Sequence, residues 1–417
     1  MPNASPFSSL GISLRQFLLV FVLLFNSFIW FFMNIFILST WLGTWSKNAN
    51  VNNLLLWTVY LAAIVGSSLL GAVSFARRNR LALVYGWLSL GVITSLLLST
   101  ITMNINPDWL LIIIFLSGVA FGLGMPSALA YFAENTVFEN RGLVGGIVFI
   151  FTNLSVAVAS LFLGNNLVVD CYIAGIWRAL CLVIFFLIKP HDKVENPGRG
   201  PSFRSVLSQR TFLLFLIPWF MFCLIDRFAY QIFFAKLLEV DKLSLSVEPI
   251  VGTIFALIGG LFADWIGRKK VIVFGFIAMG LAYAALGVAP KAPFSWYFYI
   301  AIDGIAWGIF LVLFVLVVWG DLSSSKGGCE KYYAVGSIPF FIAYLMQYFV
   351  QPYISSIQIG SFEASFSFAS LFLFIAVLPL IYAPETLPEK KIQERQIRKY
   401  AEEARKLAKR EDKKEEA

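Results

Sequence analysis

Histidine is nearly missing from this sequence: His191 is the only one, and it falls in a polar stretch. A histidine-based metal centre or a catalytic triad therefore has almost nothing to draw on. Charge is scarce as well. Only 13% of the 417 residues are charged, against 59% hydrophobic, and a soluble chain of this length would need far more polar surface to cover its core. The four cysteines, Cys171, Cys181, Cys223 and Cys329, have neither paired nor metal-ligand spacing and read as small apolar packing residues. No cofactor or metal is expected. Nor does the net charge of +8 imply nucleic acid, because the positive residues lie in loops that alternate with apolar runs.

What the chain has instead is apolar sequence in continuous runs of roughly 20 residues, the length that crosses about 30 Å of hydrocarbon as a helix. Barrel strands would alternate over about ten residues. In lipid the backbone must satisfy its own polar groups, so the expected class is an all-α integral membrane protein embedded in the bilayer. Twelve runs are counted, at 16–42, 53–76, 81–103, 109–133, 143–164, 171–189, 211–235, 247–264, 271–289, 294–320, 333–354 and 364–382. The first is too long, and lacks a clear small-residue cleavage site, to read as a cleaved signal peptide.

Lysine and arginine set the expected orientation. One side collects Arg15, Arg77, Arg78, Arg80, Arg141, Lys189, Lys193, Arg199, Arg204, Arg210, Arg268, Lys269, Lys270, Lys326 and Lys331, fifteen in all; the other has only Lys47, Lys236, Lys242 and Lys291. That asymmetry places both termini in the cytoplasm of a multi-pass cell-membrane protein and requires an even number of spans. The longest polar interruption, His191 to Arg210, includes Asn196-Pro197-Gly198-Arg199-Gly200-Pro201 and reads as a flexible linker. The expected organisation is a six-helix half at 1–190, a linker at 191–210, a second six-helix half at 211–383 and a charged tail at 384–417. The tail reads as a solvated helix, with an interfacial helix on anionic lipid as the alternative.

The most informative motif lies between spans eight and nine: Gly260-Leu261-Phe262-Ala263-Asp264-Trp265-Ile266-Gly267-Arg268-Lys269. Glycines let the chain reverse and let helices approach closely. Asp264 sits where a span ends, so it can face the positive N-terminus of a neighbouring helix, and Arg268 can pair with an acid on an adjacent loop. This segment resembles the signature loop of the major facilitator superfamily (MFS). Two further segments add to the resemblance: Glu134 followed by Glu139-Asn140-Arg141-Gly142 after span four, and Pro384-Glu385-Thr386 after span twelve. Comparing the halves, Gly71 aligns with Gly260 and Arg80 with Lys269, but Phe75 replaces the Asp and Arg78 the second Gly. Likewise, Asp321 in span ten lies where Glu134 lies in the first half. The resemblance implies twelve helices in two pseudo-symmetric halves, and a cytoplasmic gate of Gly260, Asp264, Gly267, Arg268, Lys269, Glu134, Arg141 and Asp321. It pairs Asp321 with Arg268, and Glu134 with Arg77, Arg78 or Arg80. The missing Asp puts the first-half latch in question.

Four ionisable residues lie well inside spans: Arg178, Asp226, Arg227 and Asp303. Charges in hydrocarbon cost at least ~2.5–3.5 kcal/mol near the centre, so they pair or line a water-filled path. Counted from the outer loops, they fall close to the midplane. Asp226 and Arg227 should point ~100° apart and not share a partner. The expected pair is Asp303 with Arg227 or Arg178, leaving Asp226 or Asp303 free to take up a proton, since a poorly solvated site favours the neutral carboxyl form. Asn26 and Asn34 share a face of span one and could reach a substrate or another helix. Trp219, Tyr297 and Trp307 could stack on a substrate, whereas Gly118, Gly122, Gly124 and Pro126 read as close packing and a kink.

The expected function is a monomeric secondary active transporter for a small-molecule substrate, working by alternating access as a proton-coupled symporter of a metabolite, sugar or organic ion. A drug/proton efflux antiporter and a carrier-shaped membrane sensor are the alternatives. The absence of proline from Gly145 to Asn165 lowers the antiporter reading, and the absence of an acid–base cluster argues against an enzyme.

Overall fold

The structure is a computed structural model and describes residues 12–74, 80–102, 105–190, 200–236, 238–323, 328–354 and 362–387. Arg77, Arg78, His191 and the tail beyond Leu387 lie outside the described residues. Twelve helices among those described are long and apolar enough to cross a membrane. The chain is an all-α protein of twelve spans, as its apolar runs require.

Some spans outrun their apolar cores. Span one covers Leu14–Asn48, and a capping box at Ser13 and Gln16 starts it before the hydrophobic run begins. Span six, Leu167–Ile188, is started by the Asn166 side chain, which accepts from the Val168 and Val169 N–H groups. Span four, Pro107–Asn135, is broken at Leu123–Gly124 and resumes at Met125 with Pro126 in its first turn. Upstream of that break, Gly118 and Gly122 pack directly on the Tyr60 and Ile64 carbonyls of span two. Close packing and a kink are thus what these residues supply. Span eight reaches back to Leu238, well before the expected start at 247. Span ten, Pro293–Ser323, is interrupted by a seven-residue π-helical stretch, Leu311–Val317. Such wide turns shift side chains around the helix and recur at functional sites.

Within each half, spans two and four, three and six, eight and ten, seven and eleven, and nine and twelve pack together. The halves meet where span five packs on span eight and span two on span eleven. At the first of these seams Gly142 and Gly260 lie backbone to backbone: a Cβ on either would overlap the other's carbonyl. Large apolar side chains such as Leu161, Phe186 and Val288 are turned outward, the surface a bilayer covers.

Candidate functional site

One end of the bundle carries a dense ionic network. The Asp264 carboxylate accepts from the backbone N–H groups of Gly142 at 3.0 Å and Leu143 at 2.7 Å, the first turn of span five. A carboxylate placed there meets unpaired N–H donors and the positive end of the helix dipole. It also pairs with Arg268 at 2.8 Å. Arg268, wholly buried, donates to Asp321 at 3.2 Å, to the Ala263 carbonyl at 2.9 Å and to the Phe138 carbonyl. Arg141 binds the other oxygen of Asp321 and also the Ala133 carbonyl. Gly267 takes a φ of +107°, which lets the chain turn into span nine with the Glu385 carboxylate against its α-carbon.

Both expected pairings occur. Asp321 meets Arg268, and Glu134 meets Arg80, whose guanidinium also binds Glu330 at 2.6 Å. Their reach differs from expectation. Beyond these pairs within each half, Arg141–Asp321, Arg268–Phe138, Asp264–Gly142 and Arg80–Glu330 tie one half to the other. The first-half loop needs no Asp for this, because Arg80 reaches across by itself. Glu330 and Glu385 are additions. Glu385 accepts from the Arg268 and Lys269 N–H groups at 2.8 and 3.2 Å and so caps span nine. Thr386 donates to Asp321 at 3.1 Å, so the Pro-Glu-Thr segment is built into the network. Lys269 turns away and donates to the Ile381 carbonyl at 2.7 Å.

The charges inside the bundle are arranged differently from expectation. Asp226 and Arg227, adjacent in sequence, bond each other: Arg227 reaches Asp226 Oδ2 at 2.8 Å, and Trp307 donates to Oδ1 at 2.7 Å. The 100° helical offset is overcome because the long arginine side chain folds back over its neighbour, with its guanidinium 5.7 Å from the Trp307 and Tyr344 ring centres. Asp303 does not pair with Arg178. Its carboxyl group lies near that of Glu248 on span eight. Close packing brings the two together: a Cβ on Gly304 would press on the Glu248 carbonyl. Glu248 escaped notice because the apolar run begins beside it, at 247, while the helix itself starts at Leu238. Asp303 is ten residues from Pro293 and twenty from Ser323, so it stands about 15 Å along the helix from one end and about 30 Å from the other. The acidic cluster is therefore displaced from the middle of span ten, away from the ionic network.

Arg178 lies in the other half, fully buried, between the rings of Trp30 and Trp87 at 4.7 and 4.1 Å. It donates to Asn26 Oδ1 at 3.1 Å and Ser27 Oγ at 2.8 Å. Asn26 also donates to the Trp177 carbonyl, and Asn34 to the Trp30 carbonyl. Both asparagines are thus engaged within the first half.

Between the ionic network and the acidic cluster lies a cavity of about 100 Å³, lined by both halves. Trp219 faces it, as expected of a stacking residue, against Phe314 at 4.9 Å. Tyr297 is 61% exposed on the bundle surface, and Trp307 is held by Asp226, so neither lines it.

No curated protein matches the chain by sequence. Among solved structures, the chain is similar to the E. coli fucose:proton symporter FucP, at 12% identity and a TM-score of 0.71, covering 89% of this chain and 99% of that one. It is similar to the proton:xylose symporter XylE bound to 6-bromo-6-deoxy-D-glucose, at 14% identity and a TM-score of 0.65, covering 89% and 96%. A third is the human organic anion transporter MFSD10 (TETRAN), at 14% identity and a TM-score of 0.63, covering 90% and 100%. At such identities the likeness establishes the fold. The family follows from the sequence itself: residues 87–326 match the Major Facilitator Superfamily profile, and the chain belongs to that superfamily of membrane transporters.

Proposed function

We propose that the protein is a secondary active transporter that moves a small solute by alternating access and couples this to a proton, as a monomer in the cell membrane with both termini in the cytoplasm. One observation supports the coupling: the carboxyl groups of Asp303 and Glu248 lie near each other inside the bundle, on helices in close contact. Two carboxyl groups held near each other repel when both are ionised, and a proton on one of them relieves that repulsion. The interhalf ion pairs would hold the cytoplasmic side shut in this state and separate in the other. Buried pairs suit that task, because their attraction is largely offset by desolvation and two arrangements can lie close in energy.

The test is flux in proteoliposomes under an imposed pH gradient. Asp303→Asn and Glu248→Gln are expected to abolish gradient-driven uptake while solute exchange at equal pH persists. Asp226→Asn is expected to impair both. Gradient-driven uptake undiminished in Asp303→Asn, Glu248→Gln and their double variant would remove proton coupling from the carboxyl pair.

A further inference from the structure

The cavity between the halves is walled almost entirely by apolar side chains, chiefly aromatic ones. Phe31 and Phe121 stack at 4.3 Å in one half, Trp219 and Phe314 at 4.9 Å in the other. Phe341 of the second half then meets Phe31 and Phe121 edge-on at 6.4 and 6.0 Å. Flat faces and ring edges are therefore presented from both halves to one chamber, the arrangement that accepts another ring by stacking or edge contact.

Of the three hydroxyl groups among the described lining residues, two are committed to backbone and Ser68 carries the third. Tyr333 donates to the Leu316 carbonyl, and Ser337 to the Ala334 carbonyl at 3.0 Å. Asn26 and Asn34 do not line it. A sugar entering would give up its water partners for walls that return few hydrogen bonds, and buried polar groups without partners are strongly disfavoured. A carboxylate would in addition face the negative faces of the rings.

We propose, resting on the transport reading above, that this chamber binds a lipophilic aromatic solute without negative charge, and that it excludes sugars and carboxylates. The acidic cluster lies one aromatic layer away. Trp219 contacts Phe222 at 6.0 Å, Phe222 contacts Trp307 at 5.0 Å, and Trp307 holds Asp226. A second layer runs from Phe340 of the wall to Tyr344, whose ring lies beside Arg227. The solute thus occupies the apolar chamber while the charges that respond to it stay behind the wall.

The experiment is ligand-dependent thermal stabilisation of the purified full chain in detergent, with tetraphenylphosphonium, 2-naphthol, D-xylose, L-fucose and benzoate as probes. The first two are expected to raise the melting midpoint and the other three to leave it unchanged. Ser337→Phe, which fills the chamber, is expected to weaken both aromatic probes by about tenfold or more, the scale of a lost ring contact. Leu129→Phe, from the opposite half, is the second filling variant should the first fail to fold. Stabilisation by a sugar or benzoate that chamber filling removes overturns the proposal and leaves the transport reading standing. Aromatic shifts that are absent, or that survive both filling variants, also overturn it; surviving shifts would mark partition onto the lipid-facing surface. Aromatic binding that is lost on filling, in a protein showing no flux in proteoliposomes, upholds the chamber's selectivity and sinks the transport reading.

Discussion

Arg80, the first residue of span three, binds Glu330 at the head of span eleven across 2.6 Å, joining the two halves of the bundle through side chains only 4% and 6% exposed. The same guanidinium holds Glu134, so one cation serves an acid of each half. Removing Arg80 strands the buried Glu330, whereas removing one acid leaves the cation with the other.

Arg80→Gln is therefore expected to destabilise the closed end by about 3–5 kcal/mol, the cost of breaking a buried pair from one side. Glu330→Gln should cost less, since Arg80 keeps Glu134. Protease or thiol-reagent access to the gate in membrane vesicles reads the change. Equal protection in the wild type and Arg80→Gln would show that this ion pair does not hold the end closed.

The seam between spans five and eight makes a separate prediction. Gly142 and Gly260 touch, and Asp264 reaches the Gly142 and Leu143 N–H groups only because they do. Gly260→Ala is expected to cost about 1–3 kcal/mol through overpacking. It should also loosen the Asp264 contacts, so that Gly260→Ala and Asp264→Asn together are less than additive. Melting midpoints of the two single variants and the double variant test this; full additivity would show that helix approach and the aspartate contact are independent. Asp264→Asn and Arg268→Ala that left both transport and protease access unchanged would remove the gate role itself.

Arg178 is expected to behave as a packing element of the first half. Its charge is met by two indole faces and by Asn26 and Ser27. Each ring contributes up to about 2 kcal/mol when desolvated. Arg178→Lys should rescue little, because an ammonium lacks the flat surface that stacks between two rings. The expected readout is a lowered melting midpoint in both Arg178→Met and Arg178→Lys with solute affinity retained. Lost affinity at an unchanged midpoint would assign Arg178 to the binding site instead.

Much of the ionic network was legible because its chemistry is local. Asp264 ends a span, Arg268 follows in the next turn, and the facing helix begins at Arg141, so adjacency along the chain foretells adjacency in space. The pairing of Arg268 with Asp321 and of Arg80 with Glu134 came from the echo between halves. That echo could not show which half each cation would face. Glu330 joins residues 250 positions apart, a relation that no local spacing encodes. Glu248 was hidden for a different reason: hydropathy marks where a helix meets lipid, not where it starts, and span eight begins nine residues before its apolar run does.

The amino-acid sequence by itself determined the solvent, the helical class, the count of twelve spans and the family, because lipid forces every backbone polar group to be satisfied within long apolar helices. Tertiary structure alone decided the partners of the buried charges and the character of the chamber. Arg227 folds back onto Asp226, Asp303 turns to Glu248, and Arg178 lies between two indoles, since each outcome depends on which helices glycine contacts bring within reach. The same packing gathers rings from both halves around one space and leaves its Tyr333 and Ser337 hydroxyls bound to backbone, a juxtaposition of residues too far apart along the chain for any sequence period to reveal.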